Sequence, residues 1–163
     1  GEGYDKLVRY TWPNIRLAEL YLNYAEAMNE AYGPSQEVYD AINIVRERAG
    51  IPTVEESWGN TFIAKKPNKH TTKEGLREII HHERMIELSF EGHRYDDIRR
   101  WKRAEEYLNQ PVNGWSVDET SEFGYYQIKE LGTRSFSTPR DYLHPIKTSE
   151  LTTNPNLIQN PKW

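Results

Sequence analysis

Two amphipathic segments joined by a single Gly33-Pro34 dipeptide constrain this chain more than any other feature. Residues 14–32 read NIRLAELYLNYAEAMNEAY. Leu17, Leu20, Tyr21, Tyr24, Ala25, Met28 and Ala31 recur there at the i, i+3, i+4, i+7 spacing of one helix face, with Glu19, Asn23, Glu26 and Glu30 opposite. Pro13 precedes this helix and Gly33-Pro34 ends it. Residues 35–49, SQEVYDAINIVRERA, predict a second helix. Ser35 is its candidate N-cap, and Val38, Ala41, Ile42, Val45 and Ala49 form its apolar edge. Gly50 stands where a C-terminal glycine belongs, and Pro52 forbids continuation. A link this short turns the chain straight back, so the two helices form an antiparallel hairpin.

A helix pair of about 34 residues is the size of a tetratricopeptide unit, which cannot bury its own face alone. Something else must stack on it. Residues 51–70 are rich in Pro, Gly, Asn and Lys and read as a loop. Thr71-Thr72-Lys73-Glu74 then fits a capping box, opening a helix that runs to about Phe90. Gly92 breaks or bends it, and a further helix spans about Tyr95 to Leu108. From residue 109 onward, Asn113-Gly114 and Phe123-Gly124 are turn signals, and residues 125–129 and 141–146 read as short extended pieces. The fold class is therefore mainly α: tetratricopeptide-like hairpins (14–49), helices over 72–108, and a loop-rich, irregular C-terminal region (109–163).

Composition narrows the function classes. The net charge is −4, and the basic residues alternate with acidic ones, which excludes a nucleic-acid patch. No apolar run approaches the ~20 residues that span a bilayer, so no transmembrane segment is expected. With no cysteine, thiolate zinc sites, disulfides and cysteine nucleophiles are excluded. The start, Gly1 to Tyr4, has no initiator Met and no charged leader, and reads as the interior of a longer polypeptide.

The stretch HHERMIELSFEGHRYDDIRRWK, residues 81–102, poses the sharpest question. At about 100° per residue, Leu76, Ile79, Ile80, Ile86 and Phe90 share a face, and Glu83 and Glu87 fall within it. On the next helix Ile98, Trp101, Ala104 and Leu108 share a face that also carries Arg94 and Asp97. Isolated buried charges cost several kcal/mol, whereas paired ones escape much of that penalty. The expected arrangement is a structural ion network. Glu83 and Glu87 clamp the planar fork of Arg94, and Asp97 takes another arginine such as Arg84, Arg46 or Arg48.

Catalytic alternatives fare less well. A zincin would need His at position 86, where Ile stands. Glu78-Ile79-Ile80-His81 matches a di-iron Glu-x-x-His, but no second copy occurs. Glu83 and Glu87 have a spacing a glycosidase could use, but they face apolar ground rather than a cleft. No metal, cofactor or catalytic residue is assigned.

Three blocks resemble the C-terminal part of the SusD/RagB family of surface nutrient-binding lipoproteins. They are RLAELYLNYAEAMNE…AINIVRERAGIP, LREIIHHERMIELSFEGHRYDDIRRWK and DYLHPIKTSELTTNPNLIQNPKW, in the family's order. His144 departs from the family's more usual apolar-Pro-Ile run. The resemblance implies a helical protein, lipid-anchored through an N-terminal region outside this chain to the outer face of the outer membrane. It implies a lid on a SusC-like TonB-dependent transporter, binding glycans or peptides for import without catalysis.

Sugars are held by flat aromatic faces and by amides that bond hydroxyls. Trp58, Asn60, Trp115, Tyr125 and Tyr126 are the glycan-binding candidates, because they lie in loops rather than on helix faces. The competing reading is that each ring plugs the space beneath its own loop. Tyr21, Tyr24 and Trp101 belong to the helix faces and are expected in the core. The alternative function is a tetratricopeptide-like scaffold that docks another protein on its hairpin.

Overall fold

The computed structural model describes residues 13–62 and 64–163. The reading of Gly1 to Tyr4 lies outside them. The chain divides into two compact units, residues 1–91 and 92–163.

The first unit begins with α1 (Leu17–Tyr32) and α2 (Gln36–Arg48), the expected hairpin. The Ser35 hydroxyl caps α2 by accepting from the Val38 N–H, and Gly50 follows the helix at φ 70°, a left-handed conformation that glycine adopts without strain. The buried face of α1 is Leu22, Ala25, Glu26 and Asn29, which shares Ala25 with the stripe expected from apolar spacing, while Met28 packs beside the core. Leu17, Leu20 and Tyr24 are exposed. The reason lies in α4 (Lys73–Glu87), which packs on α1 and offers hydrogen-bonding partners to its polar residues. Asn29 is fully buried and donates to the Lys73 carbonyl at 3.0 Å, which holds α1 against the start of α4. Buried amides need such partners.

The segment read as a loop contains a short helix, α3 (Val54–Gly59). Thr53 and Glu56 close a reciprocal capping box on it, and Val54 is fully buried. For α4 the cap is Thr72, which accepts from the Gly75 N–H at 3.1 Å. Because Gly75 occupies the third helical position, the expected box with Glu74 does not form. A Cβ on Gly75 would sit 1.9 Å from the Lys69 carbonyl oxygen, so the preceding 3₁₀ turn rests directly on the helix backbone. Ala25, Val38, Ala41, Ile42, Val54, Leu76, Ile79 and Ile80 form one continuous core. Ile86 and Phe90, expected on this face, are exposed. The buried row of α4 runs Leu76, Ile80, Arg84, and its i+4 continuation reaches Leu88 just past the helix end, which places Ile86 on the far side.

The second unit contains α5 (His93–Arg100), α6 (Ala104–Leu108), β1 (Pro111–Trp115), α7 (Glu122–Tyr125), β2 (Ile128–Thr133) and α8 (Thr148–Thr153). The helix expected over 95–108 is broken, because Lys102 takes φ 58° between α5 and α6. β1 and β2 pair antiparallel, with an irregularity between Val112 and Asn113. Asn113-Gly114, read as a turn, therefore lies inside a strand, and Phe123-Gly124 lies inside α7. The core is small: Ile98, Ala104 and Phe136, flanked by Trp101, Tyr107, Leu108 and Tyr142. Side-chain amides serve as backbone here. Asn109 both donates to and accepts from Phe136, at 3.1 and 2.7 Å. Gln159 does the same for Ile146, at 3.0 and 2.8 Å, and Asn160 donates to the His144 carbonyl at 2.6 Å. The terminal Gln-Asn-Pro thus holds the irregular segment before α8 in place.

Candidate functional site

Glu83 and Glu87 lie on the margin of the α4 face rather than at its centre. Their partners come from the hairpin. Glu83 is bonded to Arg46, whose remaining N–H groups reach the Pro52 carbonyl and the Ser57 hydroxyl, both at 2.7 Å. Glu87 receives Arg16 at 2.9 Å and Arg48 at 2.6 Å. Arg16 also binds Glu91 through two nitrogens, at 2.9 and 2.7 Å, and these carboxylates raise its pKa further above the ordinary arginine value. The expected clamp on Arg94 is therefore corrected. Arg94 lies with its guanidinium over Tyr107 and Trp101, 4.5 and 5.8 Å from the ring centres. The phase of α4 decides this. With Leu76, Ile80 and Arg84 facing inward, positions 83 and 87 turn toward α2 and the start of α1.

Arg84, at 4% exposure, approaches Glu26 at 3.7 Å and donates to Asn23 at 2.5 Å. Asp97 is buried and bound by Arg100 at 2.8 Å. These carboxylates are engaged by guanidiniums and present no free acid or base to a substrate. Glu78 pairs with Lys69 at 2.6 Å, while His81 is on the buried face. Among the described residues no three His, Asp or Glu side chains converge as metal ligands.

Trp115, Tyr125 and Tyr126 meet. Trp115 ends β1, and the two tyrosines lie at the end of α7, just before β2. Strand pairing sets Trp115 opposite Ile128 and brings both tyrosine rings onto the indole. Ring centres are 5.7 Å apart for Trp115 and Tyr125, 5.2 Å for Trp115 and Tyr126, and 5.2 Å for the two tyrosines. Tyr126 meets Trp115 and Tyr125 at interplanar angles of 81° and 89°, the edge-to-face geometry that aromatic quadrupoles favour, and Trp115 and Tyr125 are tilted at 54°. The cluster remains open: Trp115 and Tyr126 are 54% and 56% exposed, and the neighbouring Phe123 is more so.

Trp58 and Asn60 belong to the first unit. Trp58 packs against the main core and has the Lys69 ammonium 5.3 Å above its ring. Asn60 accepts from the Phe62 N–H at 2.8 Å, so its carbonyl shapes its own turn. Tyr24, expected in the core, is exposed and bonds Glu37. Sequence reasoning missed a cleft in the second unit bordered by Arg99, Arg134, Arg140 and Trp163. Its elements are distant in sequence, and no local motif marks it.

The family profile described as the SusD family matches residues 6–163. A curated relative, SusD-like protein P2 of Formosa agariphila, is 32% identical over 146 residues, which is 90% of this chain and 24% of that protein. A SusD-like carbohydrate-binding protein of Bacteroides fragilis is similar in structure, with a TM-score of 0.68 and 37% identity, covering 88% of this chain and 28% of the other. A second SusD-like protein of Bacteroides fragilis superposes with a TM-score of 0.72 and 30% identity, over 93% of this chain and 26% of its own. The chain thus spans about a quarter of the length of the relatives it matches.

Proposed function

The chain belongs to the SusD family, and from that premise we propose that it is the C-terminal portion of a non-catalytic, cell-surface glycan-binding protein. The protein captures oligosaccharides at the outer membrane, to which an N-terminal lipid holds it, and hands them to a SusC-like TonB-dependent transporter. Among the described residues no helix is long and apolar enough to cross a membrane.

The observation that carries the reading is the open cluster of Trp115, Tyr125 and Tyr126. Its rings brace one another, so the indole is presented with little conformational entropy left to lose when a pyranose stacks on it. The charged side chains that a hydrolase would need are instead committed to ion pairs between helices. That arrangement supports the non-catalytic reading.

The test is a glycan array on the full-length gene product, followed by calorimetry with the best neutral oligosaccharide. Trp115→Ala is expected to lower its affinity about tenfold or more, a loss of ~1.4 kcal/mol, with no cleavage of the saccharide. Capture of a protein partner in the absence of any saccharide binding would move the reading to a docking scaffold, for which Leu17, Leu20 and Tyr24 are the exposed candidates.

A further inference from the structure

We propose that the cleft of the second unit is a subsite for an acidic saccharide, a sugar ring bearing a carboxylate or a sulfate ester; the inference rests on the glycan-binding reading and specifies its ligand. The cleft has a volume of about 660 Å³, within the ~300–1,000 Å³ of ligand clefts. Arg99, Arg134 and Arg140 stand in its wall against one carboxylate, Asp141, so among these side chains three positive charges less one negative leave +2. That sign is opposite to the chain's net −4.

The three arginines are not equivalent. Arg140 is committed: it binds Asp141 at 2.7 and 3.1 Å and lies over the Trp163 ring. That pairing raises the pKa of Arg140 and lowers that of Asp141. Arg99 donates to the Tyr95 hydroxyl at 2.7 Å and to the Tyr142 carbonyl, which fixes its position. Arg134 is exposed and, among the described residues, makes no hydrogen bond or ion pair. Its planar fork of N–H donors is free to take a carboxylate or sulfate through two parallel bonds.

A lone solvated arginine would mean nothing. Here the free fork shares a cleft with a second, anchored guanidinium and with two aromatic rings. Trp163 is held by its indole N–H, which donates to the Arg140 carbonyl at 2.9 Å and the Leu143 carbonyl at 3.2 Å. Tyr95 lines the cleft beside Arg99. A fixed ring for the apolar face of a sugar, and a fork for its anion, suit an acidic pyranose better than a bare anion or a neutral sugar.

The experiment is calorimetry on the full-length gene product with three disaccharides: a galacturonic acid dimer, a neutral disaccharide, and the same neutral disaccharide carrying a sulfate ester. At least one acidic disaccharide is expected to bind about tenfold tighter than the neutral one, and the preference is expected to shrink with added salt. Arg134→Gln should erase the preference, Arg134→Lys should retain part of it, and both variants should melt like wild type because the side chain holds nothing in place. The galacturonate and sulfate arms identify which anion the site takes. Equal affinity for all three disaccharides, or an undiminished preference in Arg134→Gln, overturns this subsite; if Trp115→Ala still lowers neutral binding about tenfold, the broader glycan reading stands. No binding of any saccharide overturns both.

Discussion

Residues 1–91 and 92–163 solve the problem of holding a polar, tyrosine-rich chain together in different ways. The first unit has a continuous aliphatic core and sets arginines and carboxylates around it at helix crossings. The second has a core of only three buried residues and relies on guanidiniums stacked on rings and on side-chain amides bridging backbone. On the proposed reading the difference separates support from display. The first unit commits its buried aliphatic groups and its interhelical charges to packing, although Leu17, Leu20 and Tyr24 stay on its surface. A unit built from aromatic rims and irregular backbone keeps large apolar surfaces and donors open.

The sharpest way to break this contrast is to open a hole in each core. Ile80→Ala in the first unit is expected to cost about 3–4 kcal/mol, because a fully buried side chain leaves a cavity that its neighbours cannot fill. Phe136→Leu in the second unit is expected to cost only ~1 kcal/mol, since its surroundings are partly exposed rings that can shift. Denaturant melts of the two variants measure both, and equal losses would erase the distinction. Arg46→Met is next in size, at about 3 kcal/mol. It leaves Glu83 without its guanidinium in a place where Glu83 is only 12% exposed. Restoring stability with the double variant Arg46→Met, Glu83→Gln would show that the loss comes from an orphaned charge.

A smaller effect is expected from Trp115→Ala. Its stability change should stay within about 0.5 kcal/mol, as for other exposed positions, while saccharide binding falls. A large drop in melting temperature would instead make the aromatic cluster part of the support. The smallest effect concerns pH. Glu30 is held below the usual glutamate range chiefly by its bond from Arg77, at 2.5 and 2.7 Å. A lowered folded value means the contribution is fully present above the unfolded pKa near ~4.3 and is lost as pH falls through the folded value. Wild type and Arg77→Gln should therefore differ slightly at neutral pH and converge below about pH 4. The effect is small because both side chains are about two-fifths exposed.

Features set by neighbours in sequence were readable in advance: the hairpin, the Ser35 cap, the glycine after α2 and the helical class as a whole. Features set by distant partners were not. Glu26 looks like an outward residue to any periodicity count, and it is buried because Arg84 lies beside it. The break at Lys102 has no glycine to announce it. The Thr53–Glu56 box was visible in the letters, but the prolines and glycines around it suggested a loop. The three rings of the candidate site were nominated separately, one by one. That they touch depends on the β1–β2 register, which a turn-based reading of Asn113-Gly114 obscured. The partner of Glu87 was missed for a similar reason: Arg16 lies 71 residues away, just before α1.

At Gly75 a peptide oxygen occupies the volume in which any other amino acid would carry its first carbon. Deep mutational scanning would meet a wall at Gly75 that runs on into the buried Leu76, with permissive columns on either side at Glu74 and Arg77, and no compensating change elsewhere could lower it at Gly75 without relocating the preceding turn. Loop grafting between relatives would meet the same restriction: a donor segment replacing residues 60–71 that again places a carbonyl at that spot requires glycine at position 75.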